Sequence, residues 1–353
     1  MKIIFIRPFS CLAQEVEELR KRPGPSRHAL RRILLAPVAA LTLGAGYASA
    51  QPAPAPAAAV EPEASTTLRR DDLRVALVAY RLALGGAALC RERYPLTGML
   101  FHHLAEYEPR DRPLMVSRYG LDRGPGVLTV LADTPAARAG LVAGDVLLAV
   151  NGRPLPTGAS VAAEPKREKW RRLADEAETE LETALRQGPA DLRVLRSGRE
   201  LTLRLGSVSA CLGRVRLARS TQVNAFATGR TVVMTVAMLN FLKSDDELAV
   251  VLGHELAHNI FGHPAIRSEE GILRGLGIKP SAMWKREEVA DRFGLRLMAA
   301  GGYDLNAAIP FWRRYLGKYD WFPQLFRSHP SLGARERIAA EEIAAIRRER
   351  AGL

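Results

Sequence analysis

The five residues His254-Glu-Leu-Ala-His258 constrain this chain more than any other stretch. They lie in an apolar run that includes Ala249, Val250, Val251, Leu252, Leu256 and Ala257. Histidine and glutamate buried in such a run without partners would be costly. Residues four apart share one helical face, so both imidazoles can reach one ion, and Glu255 lies beside them, placed to act on a water at that ion. Residue types and spacing together predict a Zn²⁺ site with Glu255 as its base. Ser244-Asp-Asp-Glu247 is a helix start of the capping-box kind, so the helix is expected from Leu248 to about Phe261.

Zinc that performs chemistry keeps three protein ligands and one open position. Glu287-Glu-Val-Ala-Asp291 opens a second apolar helix. Glu287 and Asp291 share a face, whereas Glu288 points about 100° round the helix. One of the two carboxylates can bind zinc while the other hydrogen-bonds a ligand histidine from behind. His263 competes for the third position. The pattern with a third histidine, however, places it at residue 264, which is Pro.

The chain has 353 residues and 47% apolar content, enough for two domains with real cores. Its net charge is +13, but the Arg residues are scattered, without a block of like charge or interleaved aromatics, so no nucleic-acid partner is expected. Arg27, Arg31 and Arg32 precede an apolar stretch, Ile33 to Tyr47, and then Ala48, Ser49 and Ala50. This is the pattern of an export signal with a small-residue cleavage site. The stretch is short for a bilayer span, which needs about 20 residues. The expected location is the periplasm; the alternative is an inner-membrane anchor formed by an uncleaved signal. No later stretch is long and apolar enough to span, and peripheral membrane contact stays open.

A second module reads between the linker and the zinc helix. Gly126-Val-Leu-Thr-Val-Leu131 and Gly144-Asp-Val-Leu-Leu-Ala-Val150 read as strands, and Thr134-Pro135 as a helix start. Asn151-Gly152 reads as a hairpin turn, and the segments around Ser197-Gly198 as a closing hairpin. These residues resemble a PDZ domain of the bacterial protease type over about 90 residues. The resemblance implies that Arg118-Tyr-Gly-Leu121, with Tyr119, Gly120 and Leu121, is the loop holding a peptide's C-terminal carboxylate. The long charged segment 156–190 departs from the family and leaves the groove's second wall open.

Residues 208–353 resemble the HtpX/CAAX-prenyl-protease zinc metallopeptidase family, of the gluzincin type. The matching elements are Asn224-Ala-Phe-Ala, the run 231–239, the segment from Asp245 to His258, Glu287-x-x-Ala-Asp291 and Ser328-His-Pro-Ser331. The resemblance implies one Zn²⁺ per chain held by His254, His258 and Glu287. It implies Glu255 as catalytic base and acid, and Asp291 behind a ligand histidine. His329 would be an oxyanion stabiliser or a removable fourth ligand. An Arg usually follows it at Arg335's spacing, but Arg337 has the expected aliphatic neighbour. The run 231–239 would be the edge that aligns substrate.

Cys11 lies in the segment to be removed, which leaves Cys90 and Cys211. In an oxidising compartment two cysteines suggest a disulfide, and one between these two would tie together the flanks of the inserted module. The expected order is a signal peptide over 1–50, a Pro/Ala-rich linker over 51–67, an N-terminal helical part of the peptidase over 68–117, the PDZ domain over 118–208 and the catalytic domain over 209–353. The fold class is α+β: a mainly helical gluzincin-type domain with a small substrate-aligning sheet, plus an inserted PDZ sandwich or barrel. The expected activity is that of a zinc metalloendopeptidase in cell-envelope protein quality control. Its partners would be protein or peptide substrates, misfolded envelope proteins and exposed C-termini among them. The alternative is a PDZ-led, chaperone-like peptide binder with latched protease activity.

Overall fold

The computed structural model describes residues 63–263, 280–319 and 331–352. The signal segment 1–50, most of the linker 51–67, and His329 lie outside the described residues. Helix α1 (Glu63–Gly85) passes through a 3-10 turn (Gly86–Leu89) to Cys90. Next come β1 (Tyr94–Leu96), β2 (Met99–His102), a 3-10 turn (Leu104–Glu106), α2 (Arg112–Tyr119), β3 (Gly126–Val130) and α3 (Pro135–Arg138). Then follow β4 (Val146–Val150), β5 (Arg153–Pro154), α4 (Gly158–Ala163), α5 (Arg167–Arg186), β6 (Ala190–Arg196) and β7 (Arg199–Leu205). The remainder is β8 (Val208–Ala210), β9 (Arg214–Ala218), β10 (Ala225–Ala227), β11 (Thr231–Thr235), α6 (Val236–Phe241), α7 (Asp245–Ile260), α8 (Pro280–Ala300), α9 (Ala308–Tyr319) and α10 (Leu332–Ala351).

The architecture is α+β, with two large apolar cores that share no residue and a smaller cluster around Leu121. One packs α1 against α7, α8, α9, α10 and the sheet β10-β11-β9, around Leu82, Met234, Leu252, Leu297 and Phe311. The other packs α5 against the six-stranded sheet β2-β3-β4-β6-β7, in which β5 pairs with β4, around Leu147, Leu181, Leu192 and Leu205. The module's sheet therefore begins at Met99, ahead of the expected boundary at 118, because β2 pairs antiparallel with β3 from Met99↔Val130 to His102↔Gly126. Strand β2 was hidden in the sequence because it is only four residues long and follows closely on β1.

The way into the module and the way out run side by side. Strands β1 and β8 pair antiparallel, Tyr94↔Ala210 to Leu96↔Val208. Just beyond them Cys90 and Cys211 form a disulfide with Cα atoms 5.6 Å apart, across a sequence separation of 121. The bridge expected from the cysteine count is present. A covalent loop of that length typically contributes about 2–4 kcal/mol, in large part by restricting the unfolded chain. Reduction, or Cys90→Ala with Cys211→Ala, is expected to lower the unfolding free energy by that amount. Equilibrium denaturation with and without reductant reads it directly; coincident curves would mean that the bridge does not constrain the unfolded state.

Ion pairs link α5 to the sheet β10-β11-β9. Arg214 pairs with Glu178 at 2.7 Å and also with Glu182. Arg216 reaches Glu106 at 2.7 Å and also Glu178. Arg230, in the turn between β10 and β11, reaches Glu182 at 2.6 Å. Among the described residues no helix is long and apolar enough to cross a membrane.

Candidate metal centre

Helix α7 is capped at Ser244 as the sequence predicts and begins at Asp245, three residues ahead of the expected Leu248. The Ser244 hydroxyl accepts the Glu247 amide at 3.2 Å, and Asp245, Asp246 and Glu247 crowd the first turn, where the helix dipole favours negative charge. The Glu247 carboxylate accepts the amide of Lys243 at 2.7 Å, one residue ahead of the cap, and is held by Arg314 at 2.8 Å. This variant of the capping box anchors α9 to the helix start. Helix α8 lies against α7 at unusually close range. A Cβ on Gly253 would meet the Gly294 carbonyl oxygen at 2.9 Å, and a Cβ on Gly294 would meet the Gly253 carbonyl carbon at 2.9 Å. This pair of glycines brings the acidic turn of α8 up to the histidines of α7.

His254, His258 and Glu287, all buried, present one donor atom each within 4.8 Å of one another. The two Nε2 atoms are 3.1 Å apart, and each is 3.4 Å from a Glu287 carboxylate oxygen. Two nitrogens bound at ~2.05 Å to tetrahedral Zn²⁺ would stand about 3.3 Å apart, so the donor set fits one such ion. Asp291 Oδ1 lies 2.8 Å from His254 Nδ1, behind the ring. Burial opposes charge on His254, but its bonds to Asp291 and Glu287 outweigh burial and push the ring up to about 10. The carboxylates thus favour positive charge in the cluster, which a divalent cation supplies. Glu255, half-buried, follows His254 on α7 and stands outside the donor set.

Arg335 completes the surroundings of Glu287. It is 2% exposed, its Nη2 donates to Glu287 Oε2 at 2.9 Å, and its Nε stands 3.4 Å from Asp291 Oδ2. Its guanidinium lies 3.9 Å over the Trp312 ring, and Trp312 in turn meets His254 edge-on at 5.8 Å. The choice between Arg335 and Arg337 therefore falls on Arg335; Arg337 is exposed beside Glu341. The signal was present in the sequence, since Arg335 falls in the buried stripe of α10 with Ile338, Ala339, Glu342, Ile343 and Ile346. Trp312, Gly253 and Gly294 carried no such signal. His329 lies outside the described residues.

Two expectations need correction. The run 231–239 is not an edge: Thr231–Thr235 is the central strand β11, between parallel β9 and antiparallel β10, and the chain then turns into α6. A β-branched run looks the same whether central or peripheral. The edge beside α7 is β10, held there by a bond of 2.7 Å from the Gly229 amide to Asn259 Oδ1, one residue past His258. Nor do Tyr119, Gly120 and Leu121 form a carboxylate loop. Tyr119 ends α2, Gly120 caps it with φ 64°, and Leu121 is fully buried with Leu104, Met115 and Val161. A helix-capping glycine reads in sequence like a loop glycine.

The turn that leads into the edge strand β2 is instead Leu96-Thr97-Gly98. Gly98 has φ 78°, and any Cβ there would strike the Thr134 side chain at 2.3 Å. The Leu131 amide donates to Gly98 O at 2.8 Å and the Ala136 amide to Thr97 O at 2.9 Å. Beside β2 runs a solvent-open groove of ≈ 820 Å³ whose far wall is α5, through Glu178, Leu181, Glu182 and Leu185. The long charged segment thus supplies the wall that the sequence left open.

A histidine pair on one helix and a carboxylate from the next make up a donor set of the kind that zinc metallopeptidases of the gluzincin class use. The model of Peptidase family M48 matches residues 212–278 and 278–343, and that of the PDZ domain matches residues 126–164. Residues 212–343 are thus similar to peptidase family M48, and residues 126–164 to PDZ domains. The mitochondrial metalloendopeptidase OMA1 of Arabidopsis thaliana is 34% identical over 147 residues, 34% of this chain and 29% of that protein. The match thus spans well under two thirds of the relative. Among solved structures, the HtrA3 PDZ domain bound to a phage-derived ligand (FGRWV) overlaps 33% of this chain and 89% of its own, with 21% identity and a TM-score of 0.22. The HtrA-type protease AlgW with decapeptide overlaps 33% and 30%, with 25% identity and a TM-score of 0.21. Overlap at these scores is too slight to bear on function.

Proposed function

We propose that this protein is an exported zinc metalloendopeptidase of the cell envelope, acting in protein quality control. The observation that carries the reading is the convergence of His254 Nε2, His258 Nε2 and a Glu287 oxygen within 4.8 Å, with Glu255 on the same helix. Zinc, when bound, polarises a carbonyl and lowers the pKa of water toward ~7. His254, His258 and Glu287 hold the ion, while Asp291 fixes the ring of His254. Glu255 takes the proton of the attacking water and returns it to the leaving amine. The outer side of β10 offers backbone groups along which an extended substrate can lie beside α7. Export is supported by the signal-type segment 1–50 and by the disulfide, which belongs in an oxidising compartment. The groove between β2 and α5 takes peptide or protein termini.

One observation favours the latched alternative: Glu178 and Glu182, on the groove wall, are tied to Arg214 and Arg216 of β9 and to Arg230 beside β10. The groove and the substrate edge thus share a wall of ion pairs. Zinc analysis and casein cleavage by the purified chain decide between the two. One zinc per chain with chelator-sensitive cleavage is the expected result. Zinc without cleavage would favour the latched reading, and no zinc would overturn both.

A further inference from the structure

Helix α7 ends shortly after His258, and the manner of its ending has a chemical consequence. Phe261 is the cap and Gly262 turns left-handed with φ 63°. The Gly262 amide donates to Asn259 O at 3.2 Å, and the His263 amide to His258 O at 2.9 Å. This is a Schellman closure, in which the residue after the glycine folds back over the residue three before the cap. Here those two residues are His263 and His258. Their Nδ1 atoms come to 3.0 Å, with ring centroids 5.1 Å apart at 63°. Phe261 stacks on His263 at 5.8 Å and 24°, and Phe293 of α8 meets Phe261 edge-on at 4.9 Å. The ring of His263 is therefore held by its backbone closure and by an aromatic neighbour.

We infer that His263 is the positioning residue of His258, counterpart to Asp291 behind His254. With Nε2 of His258 turned into the donor cluster, its Nδ1 carries the proton and donates it to the lone pair on His263 Nδ1. That bond fixes both the tautomer and the plane of the ligand ring. His263 is not itself a ligand: it approaches His258 on the nitrogen opposite the cluster and is no member of the converging set. The two ligand histidines are thus supported unequally, one by a carboxylate and one by a neutral ring.

The inference rests on the metal-site reading, and the test separates the two. His263→Phe keeps the bulk and the stacking but removes the acceptor; His263→Asn restores an acceptor without the ring. Zinc affinity is measured on the full chain by competition with a chromogenic chelator, and the melting temperature of the chelator-stripped protein is measured alongside. His263→Phe is expected to weaken zinc binding about 10–100-fold with the stripped melting temperature unchanged, and His263→Asn to recover most of that loss. Wild-type affinity in His263→Phe overturns the inference. So does equal weakening in both variants, which would show that restoring an acceptor at position 263 does not matter. A wild-type chain that takes up no zinc overturns the metal-site reading instead.

Discussion

Glutamine in place of Glu255 is expected to lower peptide hydrolysis by roughly 10²–10⁴-fold, the contribution of a positioned acid–base group, while zinc content stays at one per chain. The two halves of this result come from separate features of α7. His254 and His258 converge with Glu287, and Glu255 is no member of that set. Glutamine has nearly the same shape, keeps hydrogen-bonding capacity and leaves the helix undisturbed, but it cannot take a proton from water. The loss should therefore fall on kcat, with KM little changed. Atomic absorption for zinc beside a casein assay separates the two quantities. A variant within threefold of wild type would place the base elsewhere.

Arg335→Met is expected to cost the metal-free chain about 3–5 kcal/mol, the loss typical when one partner of a buried ion pair is removed. Methionine fills comparable volume, so the loss is chiefly electrostatic. Arg335 is buried against the carboxylates of Glu287 and Asp291 and stacked on Trp312. Without it, the buried carboxylates of Glu287 and Asp291 lose a fixed positive charge, and the rings of His254 and His258 remain beside them. Saturating zinc should return part of the loss, because the dication supplies charge to the same carboxylates. Denaturant unfolding with and without zinc measures both terms. Adding Asp291→Asn should shrink the effect of Arg335→Met, a coupling that a double-mutant cycle resolves. A cost below 1 kcal/mol would show that water screens these groups in solution.

The residues of the centre that could be read in advance are those whose chemistry is tied to helical spacing. His254 and His258 stand four apart in an apolar run, and Glu287 and Asp291 four apart in another; period alone places each pair on one face. Arg335 was half-legible, because spacing from His329 and an aliphatic neighbour pointed to different arginines, and the buried stripe of α10 resolves the register in favour of Arg335. In sequence His263 reads only as a rival ligand that fails the spacing, whereas its contact with His258 depends on a left-handed glycine that folds the chain back. The carboxylate turn was misplaced for a related reason. Gly120 and Gly98 both have positive φ, but one caps a helix and the other opens a strand, and only the strand pairing tells them apart. The same limit applies to β11, whose central place depends on β9 and β10.

The paired strands β1 and β8, fastened by Cys90 and Cys211, make the recognition module a cassette. Chain leaves the catalytic core and returns to it through points 5.6 Å apart, so a short turn could replace everything between without moving α1 or β9. Excision would lay bare Arg214, Arg216 and Arg230, which now pair with carboxylates of the module. A peptidase organised this way can acquire, exchange or discard its recognition unit in evolution while its interior stays as it was.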